Sequence, residues 1–547
     1  MSRPSHNRDE ERRRLPELGI AVCYAMVAAA AALTGLDASG PIWPDSPRYA
    51  NAAAMIHDWL LADGWPAPIP FAEANYAHLP GFSVPYHPPG YPAALGVWFL
   101  VTGVSYASAR VFIALCWALA AWLFYRINRE LKIGRGPAFA AGLLLLTTPQ
   151  MALWSRDAMS EVPSLVPLFA AALFWLRWLR TGRLRDGLLA LVLAEVAFFF
   201  RVTTAGALPG LVLFGAMNSR WDRRRVSWIA AAGAAYLLVN AAWVAFAAQY
   251  SIHEIAADGK GKLWGTRAWD YFSTCIPGIA ASGTAALAAL GLARGIGDRA
   301  RCRAVGFWLA WLASFIAFKA IVPTTLEARH FFTALPAFAG LSAAAFSWES
   351  ARQRVVTGLL CSIAITANLV LLADHPMGIT GYQAVGDVLA RCREPGNVLL
   401  ACWEDQDLIF RYRAANPRCE RYLLRSDRTL AIRLSHYTKA EPIVNAHCEA
   451  DVMQLLRAGR IKYVVSCLPS TDAGDSRPIE MRLVTATVSA HPELFRQLGA
   501  FPVDVQYVDD IHPGSGEILL WEFAEVVVGG PPNLTIPIPT AGLELRP

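Results

Sequence analysis

The chain has 547 residues, of which 55% are hydrophobic and only 17% charged, with 19 Trp and 25 Phe, a composition that excludes an ordinary soluble enzyme. Its formal net charge of +6 does not indicate a nucleic-acid partner, because the basic residues fall in short clusters between apolar runs and form no single basic face. Apolar runs long enough to cross about 30 Å of hydrocarbon recur from Leu18 to Ala373. From Asp374 onward short apolar stretches alternate with polar turns.

Taken in order, the basic clusters are "NRDEERRR", "NRELKIGRG", "RTGRLRD", "NSRWDRRR", "LARGIGDRARCR" and "WESARQRVV". Placing all six in the cytoplasm follows the excess of Lys and Arg on that side of membrane proteins. The predicted spans are then 18–36, 106–127, 136–151, 162–179, 187–200, 203–217, 227–249, 273–293, 304–322, 331–348 and 355–373. The first run is too long for a cleaved leader, has no small-residue cleavage site, and reads as a retained helix. The expected architecture is therefore a polytopic α-helical membrane module of about eleven spans over 1–373, followed by an extracytoplasmic α/β domain over 374–547.

Residues 37–105 form one long external loop in this scheme, with the apolar segment 88–103 lying in the interface, held by Trp, Tyr and Pro. The other external connections are 151–161, 200–204, 250–272 and 322–330. Asp45, Arg48, His87, Asp157, Glu161, Arg201, Arg329 and His330 all fall at outer ends of spans or in adjoining loops. A single charge at a helix end ordinarily snorkels to water; eight on one side suggest a site. Arg201 stands out because it lies between two short apolar runs, where an unpaired guanidinium is costly and an anionic partner offsets that cost.

In the C-terminal part, "NVLLAC", "RYLLR", "IKYVVSC", "VQYV" and "EILLWEF" read as strands, and "YQAVGDVLARCRE" and "EADVMQLLRAGR" as helices. "CWEDQD" (402–407) reads as a solvated strand-to-helix turn. No nucleotide-binding glycine fingerprint is present, and the last residues are Pro-rich. Five cysteines lie in each part, without CxxC or Cys/His ligand spacing, so the sequence assigns no metal site and no disulfide pairing.

Five segments in order resemble the GT-C glycosyltransferases that use polyprenyl-phosphate sugars, namely protein O-mannosyltransferases and the bacterial aminoarabinose transferases of lipid A. They are "PDSPRYANAAAM", "YHPPGYPAALG", "SRDAMSEVPSL", "FRVTTAGALPGL" and "LEARHFFTALPAF", and the resemblance runs over roughly 15–375. It implies an integral protein of the bacterial inner membrane with its site on the extracytoplasmic side. The implied activity moves a sugar from a polyprenyl-phosphate donor to a hydroxyl of a protein, lipid or glycan, with inversion. Asp45 would be the base on the acceptor, with Glu161 or Asp157 orienting acceptor or sugar hydroxyls. Arg48, Tyr49, His87, Arg201, Arg329 and His330 would hold the donor phosphate. The sequence departs from the family at Ser46, where mannosyltransferases often carry a second acid, and at His87, where lipid A transferases carry Lys. Tyr86 beside His87 is not an acid, so no carboxylate–His metal pair carries over and a divalent cation is left open. Two other classes compete: a transporter or flippase for a lipid-linked or polar solute, which would show internal repeats and polar residues inside spans, and a non-catalytic envelope scaffold.

Cysteines introduced at positions 70 and 500 are expected to react with a membrane-impermeant maleimide in intact cells. Reaction only after the membrane is breached would reverse the orientation.

Overall fold

Leucine- and alanine-rich segments satisfy their own backbone hydrogen bonds as helices, which is what hydrocarbon requires. Among the described residues of the computed structural model six helices are long and apolar enough to cross a membrane: Pro16–Leu33, Tyr106–Glu130, Glu161–Thr181, Arg223–Ala247, Arg301–Ile321 and Ala351–Leu372. The chain is an integral membrane protein. The residues described are 5–547 except 35, 37–42, 44, 83–86, 219–221, 259–282, 322–327, 347–349, 374–377, 433–442, 470–476, 507–515, 526–527 and 539–542. Much of the expected connections 250–272 and 322–330, together with Tyr86 and Cys275, lies outside them.

Among the described residues several of the other expected spans are short or interrupted, for local reasons. The expected span 136–151 is split at Thr148–Pro149 into Arg135–Thr147 and Pro149–Trp154, because proline cannot continue a helix that needs its N–H. Extended backbone at Arg201 ends the helix Leu184–Phe200, and a 3₁₀ turn, Val202–Ala207, precedes Leu208–Asn218. Another 3₁₀ segment, Ala328–Ala334, precedes Leu335–Ala345. The segment 88–103 is a 13-residue helix, Gly90–Thr102, about 20 Å long and too short to cross.

The chain divides into two compact units along a line that hydropathy does not mark. One holds residues 1–34, 110–242 and 261–375; the other holds 35–109, 243–260 and 376–547, so the long first loop belongs with the C-terminal residues. Within the first unit the core is aromatic: Trp308 packs 5.1 Å from Phe124, and Phe307 lies edge-on to Phe214 at 5.2 Å. The indole N–H groups find buried acceptors, Trp308 on Asn128 Oδ1 at 3.2 Å, Trp311 on the Thr333 carbonyl at 2.8 Å and Trp175 on the Leu211 carbonyl at 2.8 Å. Leu237, Leu238 and Val244 on Arg223–Asp258 are exposed instead, as a face in contact with lipid tails requires.

In the second unit a five-stranded sheet runs in the order Leu423–Arg425, Asn397–Ala401, Ile461–Pro469, Gly516–Phe523, Phe495–Val503. The first three strands are parallel and the last two join antiparallel. Both faces are covered: Val398 and Leu400 pack with Tyr382, Leu389 and Tyr412, while Leu399 and Ala401 pack with Val452, Leu456 and Val484. Tyr76 and Phe82 of the first loop enter the second of these clusters.

The reading of 402–407 as a solvated turn is corrected here. Asp405–Ala415 is a helix, and Asp405, Gln406 and Asp407 are buried in its first turn. Arg425 donates to Asp405 at 2.7 Å and to Asp427 at 2.8 Å, and Arg411 donates to Asp407 at 2.8 Å. Burial raises the proton affinity of Asp405 and Asp407, opposed by the paired guanidinium in each case. The acids stay out of water because cations 4 and 20 residues away in sequence complete them.

One glycine, Gly291, lets two helices of the membrane unit approach closely. A Cβ on Gly291 would lie 1.9 Å from the Leu341 carbonyl oxygen, whereas one on Gly358 meets nothing within 4 Å. Gly291→Ala is therefore expected to lower thermal stability by at least about 2 kcal/mol, and Gly358→Ala to leave it unchanged or slightly raised. Melting curves of the two purified variants in one detergent check this; equal behaviour would contradict the close packing.

Candidate active site

The expected site residues fall into two clusters, one within each unit. In the membrane unit Arg201 ends Leu184–Phe200 and is only 8% exposed. Its Nη1 lies 3.0 Å from Glu161 Oε1 and donates to Ser160 Oγ at 3.0 Å. Its Nη2 approaches His330 Nδ1 at 3.4 Å, and its guanidinium carbon sits 5.1 Å from the centre of the Phe332 ring. Glu161 begins Glu161–Thr181 and is fully buried, where the positive end of the helix favours its negative charge.

This geometry revises the expectation that burial leaves Arg201 in need of an outside anion. Glu161 supplies the counter-charge from within the chain. Nε of Arg201 remains buried without a hydrogen-bond partner, so the guanidinium keeps one donor in hand. Arg329 is 5% exposed in the 3₁₀ segment beside His330. Asp157 is 2% exposed, and one of its oxygens accepts the Ala158 N–H at 2.9 Å. Arg110, whose charge interacts favourably with Asp157, donates through Nε and Nη2 to the Ala32 carbonyl at 3.0 and 2.7 Å. Arg156 donates to the Ala31 carbonyl at 3.3 Å. These two cations satisfy carbonyls that the first helix, Ser5–Leu33, leaves without partners at its C-terminal end.

The second cluster gathers Asp45, Arg48, Tyr49 and His87. Asp45 opens the helix Asp45–Leu61 and accepts from Arg48 Nη1 at 2.9 Å, one turn later. Arg48 Nε donates to Gln406 Oε1 at 2.9 Å. Tyr49 is buried, its ring 4.7 Å from the His87 imidazole and 5.3 Å from Tyr91 in an edge contact. Asn51 Nδ2 donates to the Pro47 and Gln406 carbonyls, each at 2.9 Å. Among the described residues no group of three or more His, Cys, Asp or Glu side chains is arranged to hold a metal ion.

Sequence reasoning passed over Ser160, Phe332, Asn51 and Gln406, whose partners lie up to 358 residues away. It also passed over Lys319, 3% exposed in the last turn of Arg299–Ile321. A lone cation in an apolar run was the available signal.

The model of the dolichyl-phosphate-mannose-protein mannosyltransferase family matches residues 86–245. In fold the chain is similar to ArnT from Cupriavidus metallidurans in the apo state, with a TM-score of 0.59 at 14% identity over 94% of this chain and 99% of that one. The same protein bound to undecaprenyl phosphate gives a TM-score of 0.56 at 13% identity, over 94% and 99%. No curated protein matches in sequence. The fold is thus similar to that of ArnT, and the matched segment is similar to the dolichyl-phosphate-mannose-protein mannosyltransferase family.

Removing one partner of a buried ion pair leaves the other charge uncompensated and costs about 3–5 kcal/mol. Arg201→Ala is expected to lower the melting temperature sharply, and adding Glu161→Gln to recover much of the loss. A double variant no more stable than Arg201→Ala alone would show that the pair does not carry the cost.

Proposed function

We propose that the protein transfers a sugar from a polyprenyl-phosphate donor to a hydroxyl of a protein, lipid or glycan acceptor at the extracytoplasmic face of the bacterial inner membrane. The observation that carries this reading is the likeness of fold, over 94% of the chain, to a protein whose structure has been determined bound to undecaprenyl phosphate. The match to a family of dolichyl-phosphate-mannose-protein mannosyltransferases supports it independently.

The chemistry asks little of an acid catalyst. Phosphate leaves readily, so the enzyme needs cations on its oxygens and a base on the acceptor. In one step the acceptor oxygen bonds to the anomeric carbon while the bond from that carbon to the phosphate oxygen breaks, and polyprenyl phosphate departs. Attack from the opposite face inverts the configuration through an oxocarbenium-like transition state. Asp45 takes the acceptor proton. In the membrane unit Arg201 and Arg329, next to His330, are the candidates for holding phosphate oxygens; in the other unit the candidate is Arg48, beside Tyr49 and His87. Glu161 fixes the Arg201 guanidinium through the 3.0 Å pair. The C-terminal residues, built into one unit with the first loop, brace Asp45–Leu61.

Two roles for Asp45 separate experimentally, because asparagine caps a helix about as well as aspartate but cannot take a proton. Asp45→Asn is expected to insert and fold normally and to lose at least about 10²-fold in turnover. Asp58→Asn, in the same helix, is expected to keep near-normal turnover, because Asp58 pairs with Arg413 and not with Arg48. Near-normal transfer by Asp45→Asn in a reconstituted assay would remove Asp45 as the base.

A further inference from the structure

Gln406 is an unusual partner for a residue at the start of the chain. It occupies the first turn of Asp405–Ala415, is 8% exposed, and offers its side-chain oxygen to Arg48 Nε at 2.9 Å across 358 residues of sequence. Its backbone carbonyl accepts from Asn51 at 2.9 Å, one turn further along the same first-loop helix. The residues on either side are locked, Asp405 by Arg425 at 2.7 Å and Asp407 by Arg411 at 2.8 Å, both in buried ion pairs. A side chain between two such anchors sits on rigid backbone.

Arg48 is thereby held at two points, Nη1 on Asp45 and Nε on Gln406, each at 2.9 Å. A guanidinium is planar, and bonds on two of its nitrogens fix both its position and the direction of its remaining edge. That edge carries Nη2, for which no hydrogen bond is formed among the described residues, and the side chain is 21% exposed. We infer that Gln406 is a positioning residue: it sets the Arg48 guanidinium so that the Nη2 edge is presented to an anion while Nη1 stays on Asp45. This deepens the proposed function and rests on its reading of Arg48 as a ligand of the donor phosphate. It gives the C-terminal part of the unit a specific task, holding one side chain of the first loop at a chosen angle, beyond packing against it.

A double-mutant cycle with the full-length protein in detergent tests this, reading the affinity for undecaprenyl phosphate. Gln406→Met keeps the volume and the Asn51 contact with the backbone but removes the acceptor. It is expected to weaken binding about tenfold, as loss of a hydrogen bond to a charged group does. Arg48→Ala should weaken binding at least as much, and adding Gln406→Met to Arg48→Ala should cost nothing further. Asp58→Ala, which loosens the same helix at Arg413 without touching Arg48, should lower the melting temperature and leave binding unchanged. A silent Gln406→Met, or one with the same effect in both backgrounds, overturns the inference and leaves the wider reading standing. An Arg48→Ala variant that binds normally overturns the reading of Arg48 itself and this inference with it. If Gln406→Met does not give a folded protein, Gln406→Asn, one carbon too short to reach Nε, takes its place in the same cycle.

Discussion

A guanidinium removed from water must find an anion or a set of carbonyl oxygens, and much of this molecule is arranged around that requirement. In the membrane unit Arg201 finds Glu161, and Arg110 finds the carbonyl of Ala32 near the end of the first helix. In the other unit Arg425 lies between Asp405 and Asp427, and Arg411 takes Asp407. Each pairing joins distinct elements or pins the end of one. The low dielectric that makes an unpaired charge expensive also strengthens a paired one, so these contacts fix where helices start, stop and meet.

The same constraint shapes the candidate site. A fully neutralised cation would bind no phosphate, and an unneutralised one would not stay buried. Arg201 has Glu161 on one nitrogen and an unpartnered Nε on another. Arg48 has Asp45 and Gln406 on two nitrogens and a third edge left over. Both are partly paired, which holds them in place while reserving donors. An anion at Arg201 would then replace the solvation that its Nε lacks.

Hydropathy made the long apolar helices legible, along with the strands at 397–401, 461–469 and 516–523, because runs of apolar residues bounded by turns identify elements directly. It hid others for identifiable reasons. The strand Phe495–Val503 contains Gly499 and Pro502 and a register shift near Gln497, features that read as a loop but are tolerated in an edge strand. The helix Asp405–Ala415 buries every residue from Asp405 to Arg413, so it has no polar face for a periodic pattern to reveal. Asp45, Arg48 and Arg201 could be picked out as charges at helix ends. So could Glu161 and His330, which meet Arg201, but the uncharged partners could not: Gln406 is 358 residues from Arg48, and Ser160 is 41 residues from Arg201. Nor does composition show that the first loop and the C-terminal residues form one unit, since both are simply less apolar than the spans between them.

The proposed reaction moves a sugar from a lipid phosphate onto an envelope acceptor. Mass spectrometry of the envelope lipids and glycans of cells with and without this chain tests it most directly. One sugar mass is expected to disappear from one envelope component when the chain is absent and to return with the intact chain. Identical profiles in the two cell types, with the protein present in the membrane of only one, would contradict it.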